Sequence, residues 1–112
     1  MIILTGRPIS KKRNYRRGGH GGLYLSKTFR KWEEQALKQI KRRTTITGEV
    51  DVSYTFHIKG RLNADLDNLC ASINDLLQKA GVIENDKQIV SMTATKIYGS
   101  REWLTEVEVT KL

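Results

Sequence analysis

The chain has 112 residues and a formal net charge of +8, from 20 Lys and Arg against 12 Asp and Glu. That length suits one domain, residues 1–112, and the balance of 38% apolar and 29% charged residues argues against a disordered chain. The sequence lacks a long apolar run, a signal-peptide pattern and a second cysteine. These absences argue against a membrane span, an export signal and an internal disulfide, so we expect a soluble cytoplasmic protein.

Residues 1–22 predict a short strand and then a basic loop. The strand covers residues 1–5 and ends at Gly6 and Pro8. The segment at about 9–22 is rich in Lys, Arg and Gly, and we expect a flexible loop or hairpin tip that a partner orders. It lacks the Lys-Ser/Thr pair of a phosphate-binding loop, so we expect no nucleotide cofactor. Residues 11–43 hold 12 basic residues but only two acids, which points to nucleic acid.

A helix and a strand follow. Ser26 is expected to begin the helix, and residues 49–59 alternate between apolar and polar side chains as a half-buried strand does. His57 falls on the polar face of that strand, where we expect an ordinary surface histidine. The apolar face of the helix consists of Phe29, Trp32, Ala36, Leu37 and Ile40.

A second helix and two more strands complete the pattern. The helix is predicted over residues 66–80, with Gly81 ending it. Residues 88–97 and 102–111 read as two strands that form a hairpin. The element order β-α-β-α-β-β predicts an α+β fold in which a mixed sheet is backed by two helices. The apolar face of the second helix is formed by Leu66, Leu69, Ile73, Leu76, Leu77 and Ala80.

Acidic residues lie at both ends of the second helix. Asp65, Asp67 and Asn68 open it and Asp86 follows it, and carboxylates of this kind suit a hard cation such as Mg²⁺. Helix capping is the simpler interpretation of the first two, whereas the surplus of cations elsewhere in the chain favours a metal site. A shared site also requires the chain to return after Gly81, because Asp86 would otherwise lie about 20 Å from the helix start.

One pattern between residues 59 and 97 is distinctive. It consists of Asp65-Leu-Asp67-Asn68-Leu, then Asp75, Lys79-Ala80-Gly81, Asn85-Asp86 and Gln88-Ile89-Val90. The pattern resembles the RusA-type crossover-junction (Holliday junction) endodeoxyribonucleases, and residues 10–40 resemble them more loosely.

The resemblance implies a homodimeric nuclease of DNA recombination and repair. Such an enzyme depends on Mg²⁺, with Mn²⁺ as an alternative, and resolves four-way DNA junctions by cutting two opposed strands symmetrically. Asp65, Asp67 and Asp86 match the family's catalytic metal ligands. An intracellular enzyme of cellular, phage or prophage origin fits this resemblance.

One position departs from the family pattern. Ala71 stands where the family often carries a catalytic lysine, so a cation that could stabilise the reacting phosphate is missing. Lys87 and Arg61 are the candidates to replace it, while Asn68 and Asp75 are expected to support the site. The alternative remains open that the protein is a catalytically silent module for branched or single-stranded nucleic acid.

The basic half of the chain is expected to contact DNA phosphates. Tyr15 or Tyr24 could stack on an unpaired base, although for Tyr24 we favour a packing role. Cys70 is expected to be a small buried or half-buried residue rather than a nucleophile. The predicted DNA-binding residues are Lys11, Lys12, Arg13, Asn14, Tyr15, Arg16, Arg17, Lys27 and Arg30.

Overall fold

A mixed four-stranded sheet organises the computed structural model, which describes residues 1–11, 15–18 and 22–112, with the backbone alone at 15–17. Two helices cover one face of the sheet, so the predicted α+β class is confirmed. The elements are β1 (Ile2–Thr5), β2 (Tyr15–Arg17), β3 (Leu23–Leu25), α1 (Lys27–Gln39), β4 (Val50–Ile58), α2 (Leu66–Lys79), a 3₁₀ turn (Asp86–Gln88), β5 (Ile89–Tyr98) and β6 (Leu104–Lys111).

Strand β4 lies inside the sheet, whose order is β1-β6-β4-β5. Its alternating sequence has the expected effect, because every second side chain is buried among the helices. Strand β6 pairs antiparallel to β4 and β5 pairs parallel to it. Each of these buried β4 side chains is at most 1% exposed: Val50, Val52, Tyr54, Phe56 and Ile58.

The predicted hairpin of the last two strands is wrong. Strands β5 and β6 lie on opposite sides of β4 and do not pair with each other. Residues 99–103 cross the end of β4, where the Ser100 N–H donates to the Ile58 carbonyl at 3.1 Å. Crossing two strand spacings requires about 10 Å, well within the reach of five residues. A short connection therefore fits a hairpin and the observed arrangement equally well. In the observed arrangement both edges of β4 are paired.

Part of the segment predicted as a basic loop or hairpin tip pairs with the residues that follow it in a small hairpin. Strands β2 and β3 pair antiparallel from Tyr15 opposite Leu25 to Arg17 opposite Leu23. These two strands stand in addition to the predicted β-α-β-α-β-β order. Residues 12–14 and 19–21 of the predicted loop lie outside the described part of the chain.

The two helices have the predicted starts. The Ser26 hydroxyl accepts a hydrogen bond from the Phe29 N–H at 3.1 Å and so caps α1. Helix α2 ends before Gly81, whose φ of +73° is unfavourable for residues other than glycine. Glu33 of α1 and Lys79 of α2 join the helices through an ion pair of 2.7 Å. Within the described residues, neither helix has the length and apolar character needed to span a bilayer.

Candidate active site

Two exposed carboxylates open helix α2. Asp65 occupies the N-cap position with extended backbone angles (φ −67°, ψ 147°), so it lies before the first helical turn as a shared site requires. Its side chain forms no cap hydrogen bond. Asp67 lies in the first turn, where its Oδ1 accepts the N–H of Asn68 at 2.9 Å. The capping interpretation therefore does not describe the Asp65 side chain, which is left at the surface beside Asp67.

Buried side chains directly behind the two acids fix the start of α2. Leu69 and Cys70 are 1% and 2% exposed and pack into the core. Burial, with a smaller contribution from the negative charge of Asp67, raises the pKa of the Cys70 thiol to about 11. A neutral, enclosed thiol is a poor nucleophile. Cys70 thus packs as predicted and holds the first turns of α2 in place.

Asp86 does not join the other two acids within one copy of the chain. Its N–H donates to the Gln78 side chain at 2.9 Å, which places it beside the far end of α2. Gln78 follows Asp65 by 13 residues, a separation of about 20 Å along a helix. Among the described residues, no three His, Cys, Asp or Glu side chains are close enough to share a metal ion. After Gly81 the chain therefore does not return to the start of α2.

The residues around Asp86 have structural contacts of their own. Asn85 caps the 3₁₀ turn by accepting the Lys87 N–H at 2.8 Å, and Gln88 closes a reciprocal capping box. Lys87 lies next to Asp86 and is exposed. If Lys87 replaces the family lysine, it does so from the Asp86 end of the molecule and not from the start of α2.

Lys96 brings a cation to the start of α2, and the sequence analysis missed it. Its ammonium group donates to the Ala64 carbonyl at 2.7 Å, one residue before Asp65. In the sheet register Lys96 pairs with the buried Phe56, so it points to the face that the helices cover. The sequence signal that could have identified it is a lysine at a position of a predicted strand whose side chain faces the core. Ala71 is exposed on α2, and Arg61 is exposed in the loop before it.

Asp75 holds the segment that precedes β2 against α2. Its Oδ2 lies 2.8 Å from the Lys11 ammonium, and the Lys11 N–H donates to the Ser72 hydroxyl at 2.9 Å. The charge of Lys11 is therefore partly balanced by Asp75. The Asn68 carbonyl accepts a hydrogen bond from Ser72 at 3.3 Å, which links the acidic motif to the same contact.

The structure describes only some of the remaining predicted DNA-binding residues and of the other side chains singled out in the sequence. Lys27 and Arg30 are exposed on α1. Tyr24 is 51% exposed on β3, more than the packing role that we favoured would leave. His57 lies on the other face of the sheet, with its Nε2 2.9 Å from Glu106. Lys12, Arg13 and Asn14 lie outside the described residues, and for Tyr15, Arg16 and Arg17 the backbone of β2 alone is described.

Comparison with known proteins gives two findings. A family model described as Endodeoxyribonuclease RusA matches residues 5–110. A protein of Aquifex aeolicus (strain VF5) named Crossover junction endodeoxyribonuclease RusA is 30% identical over 105 residues, which cover 90% of this chain and 83% of that protein. Both matches include the start of α2 and Asp86 within nearly the whole length of the chain.

Proposed function

The chain belongs to the RusA endodeoxyribonuclease family, and on that premise we propose that it resolves four-way DNA junctions in a Mg²⁺-dependent reaction. The relative's name specifies a crossover junction as the site of cutting. A four-way junction has near two-fold symmetry, which a two-fold dimer with one site in each copy matches. Two symmetric cuts by such a dimer separate the junction into two nicked duplexes.

The exposed pair at the start of α2 carries this proposal. Asp65 and Asp67 offer carboxylate oxygens, the donors that Mg²⁺ prefers, and the Asp65 carboxylate is not used for capping. A divalent ion bound there would lower the pKa of an attacking water and offset the charge that develops on the phosphate. Mn²⁺ has the same ligand preference and can be tested in its place. The carboxylates themselves hold the ion and orient what it binds.

A second copy of the chain supplies the third carboxylate in this proposal. Within one copy Asp86 lies about 20 Å from Asp65 along α2, too far for the two to share an ion. A two-fold dimer repeats every contact in reverse, so the Asp86 end of each copy can meet the Asp65 end of the other. One such interface completes two identical sites.

Strand β5 has the form that this dimer requires. It is an edge strand of ten residues, and an unpaired edge readily pairs with a second chain. Asp86 lies just before β5, while Lys96 near its other end contacts Ala64. Antiparallel pairing of two β5 strands therefore brings Asp86 of one copy toward Asp65 of the other. Four apolar side chains of β5 are between 42% and 61% exposed: Val90, Met92, Ile97 and Tyr98.

Lys96 takes the role of the lysine that the family often carries at the position of Ala71. Its ammonium has three donors, and the contact with the Ala64 carbonyl uses one of them. The other two would be available to a phosphate that an ion on Asp65 and Asp67 held near Ala64. Lys96 thus favours the nuclease over the silent binding module, which was the alternative that Ala71 left open.

Cutting of a labelled four-way junction tests the proposal. The wild-type protein, Asp67→Asn and Glu108→Gln are compared in Mg²⁺ and in Mn²⁺, with a linear duplex of the same sequence as the control substrate. Glu108 is exposed on β6 and is changed by the same loss of one charge. We expect paired symmetric nicks in the junction alone, abolished in Asp67→Asn and retained in Glu108→Gln. Tight junction binding without cutting in either metal would identify a silent binding module instead.

A further inference from the structure

A groove leads away from the acidic motif across the outer side of α1. It begins as a cavity of about 350 Å³ between residues 7–10 and residues 62–64, which end one position before Asp65. A second cavity of about 680 Å³ continues it between residues 5–9 and α1. Arg7, Ile9 and Thr28 line both cavities, so the two form one continuous depression, which we call the α1 groove.

The charged residues that line the described α1 groove are all basic. Arg7, Lys27 and Lys31 line it, and the described lining residues include no Asp or Glu. In the described part of the chain these three cations form no ion pair, whereas Lys38 and Lys79 are paired with glutamates. Their charge is therefore available to an anionic ligand.

Two sets of contacts hold the walls of the groove in place. The Arg7 guanidinium lies 5.3 Å from the centre of the Trp103 ring, a favourable cation–π arrangement. The Gln39 side-chain oxygen accepts hydrogen bonds from the Thr5 N–H and hydroxyl, which tie β1 to α1. Lys27 and Lys31 are one turn apart on α1, with Cβ atoms about 6 Å apart. The cations thus lie on both walls of the groove, Arg7 on one side and the two α1 lysines on the other.

We propose that the α1 groove binds the sugar–phosphate backbone of the DNA strand that passes the acidic motif. This inference rests on the proposed function and adds Arg7 and Lys31 to the residues expected to contact DNA. An elongated open groove with basic side chains on its walls suits a chain of phosphates, whereas a small ligand is usually enclosed in a single pocket. The open end at Ala64 lets one strand run from the groove to Asp65 without leaving the protein surface.

The salt dependence of DNA binding tests the groove. The variant Arg7→Gln/Lys31→Gln is compared with Arg101→Gln/Lys111→Gln, which removes the same two charges from exposed positions outside the groove. Fluorescence anisotropy without divalent metal gives affinities for a four-way junction and a linear duplex between about 50 and 200 mM salt. Each lost phosphate contact lowers the slope of log affinity against log salt by about 0.9. We expect a decrease of about 2 for the groove variant on both DNAs and little change for the control.

The outcomes separate this inference from the proposed function. Equal slopes for the groove variant and the control would overturn the groove, even if the wild-type protein cuts junctions. A lower slope in a protein that neither prefers nor cuts junctions would support the groove and overturn the proposed function. Failure of the wild type to bind either DNA would overturn both. If Arg7→Gln impairs folding because the Trp103 contact is lost, Lys31→Gln alone is expected to lower the slope by about 1.

Discussion

Asp67→Asn and Asp86→Asn are each expected to be inactive alone and to restore cutting when they are combined in one dimer. If each site draws Asp65 and Asp67 from one copy and Asp86 from the other, the mixed dimer has one site with both substitutions and one with neither. The intact site then nicks one strand. If each site instead lay within one copy, both sites of the mixed dimer would be damaged and cutting would not return.

The expected nicking rate of the mixed dimer follows from the distance between the two ends of α2. Because Gln78, which contacts Asp86, follows Asp65 by 13 residues, about 20 Å lies between the two ends and one copy cannot close the site. The mixed dimer therefore has one of two sites intact, and we expect nicking at about half the wild-type rate. Paired cuts need two sites, so the junction is expected to be nicked but not resolved.

Co-expression with two different affinity tags gives the purified mixed dimer for this assay. Denaturing gels count the nicks and native gels count the resolved junctions. A dimer of Asp65→Asn with Asp67→Asn is the matched control, because each of its sites carries one substitution and neither is expected to cut. An inactive Asp67→Asn/Asp86→Asn dimer, beside an active wild type, would refute the shared site.

Three further predictions concern single positions. Lys96→Ala is expected to lower the cleavage rate about a hundredfold at saturating junction, and Ala71→Lys in that background to recover part of it; no loss in Lys96→Ala would contradict the assigned role. Because the Cys70 thiol has a raised pKa of about 11, its proton is lost first in the unfolded chain, so stability falls as the pH rises from about 8 to 10. In urea unfolding, the free energy of unfolding of the wild type is expected to fall over this pH range by about 1–2 kcal/mol more than that of Cys70→Ala. Equal decreases in the two proteins would argue against the raised pKa of Cys70. Gly81→Ala is expected to cost about 1 kcal/mol in the same assay because of its φ of +73°, whereas Gly22→Ala, at ordinary φ, is expected to be near neutral.

Elements whose formation depends on local pattern could be predicted from the sequence. The alternation along β4 predicted its ends to within one residue and its buried face, and Ser26 marked the start of α1. Helix α2 was predicted from its apolar spacing and from Gly81. The family was indicated by the resemblance of residues 59–97 to its motif, which can be seen without a structure, and the family match over residues 5–110 confirms it.

Features that depend on strand pairing could not be predicted in this way. The alternation of β5 and β6 fits a hairpin as well as it fits two strands on either side of β4, since both place the same side chains on one face. The contact of Lys96 with Ala64 joins residues 32 positions apart and exists because β5 lies beside α2. The distance of Asp86 from Asp65 likewise depends on where the chain runs after Gly81.

The pairing of β1 with β6 has a consequence for synthesis of the protein. Ile2 lies opposite Val107, so β1 cannot form its strand pairing until β6 has been synthesised. A chain still emerging from the ribosome lacks β6, and β1 and one side of β4 then have no neighbouring strand. Non-local pairing of this kind delays folding until the participating segments are all available. The four-stranded sheet on which α2 packs is therefore completed only after β6 has been synthesised.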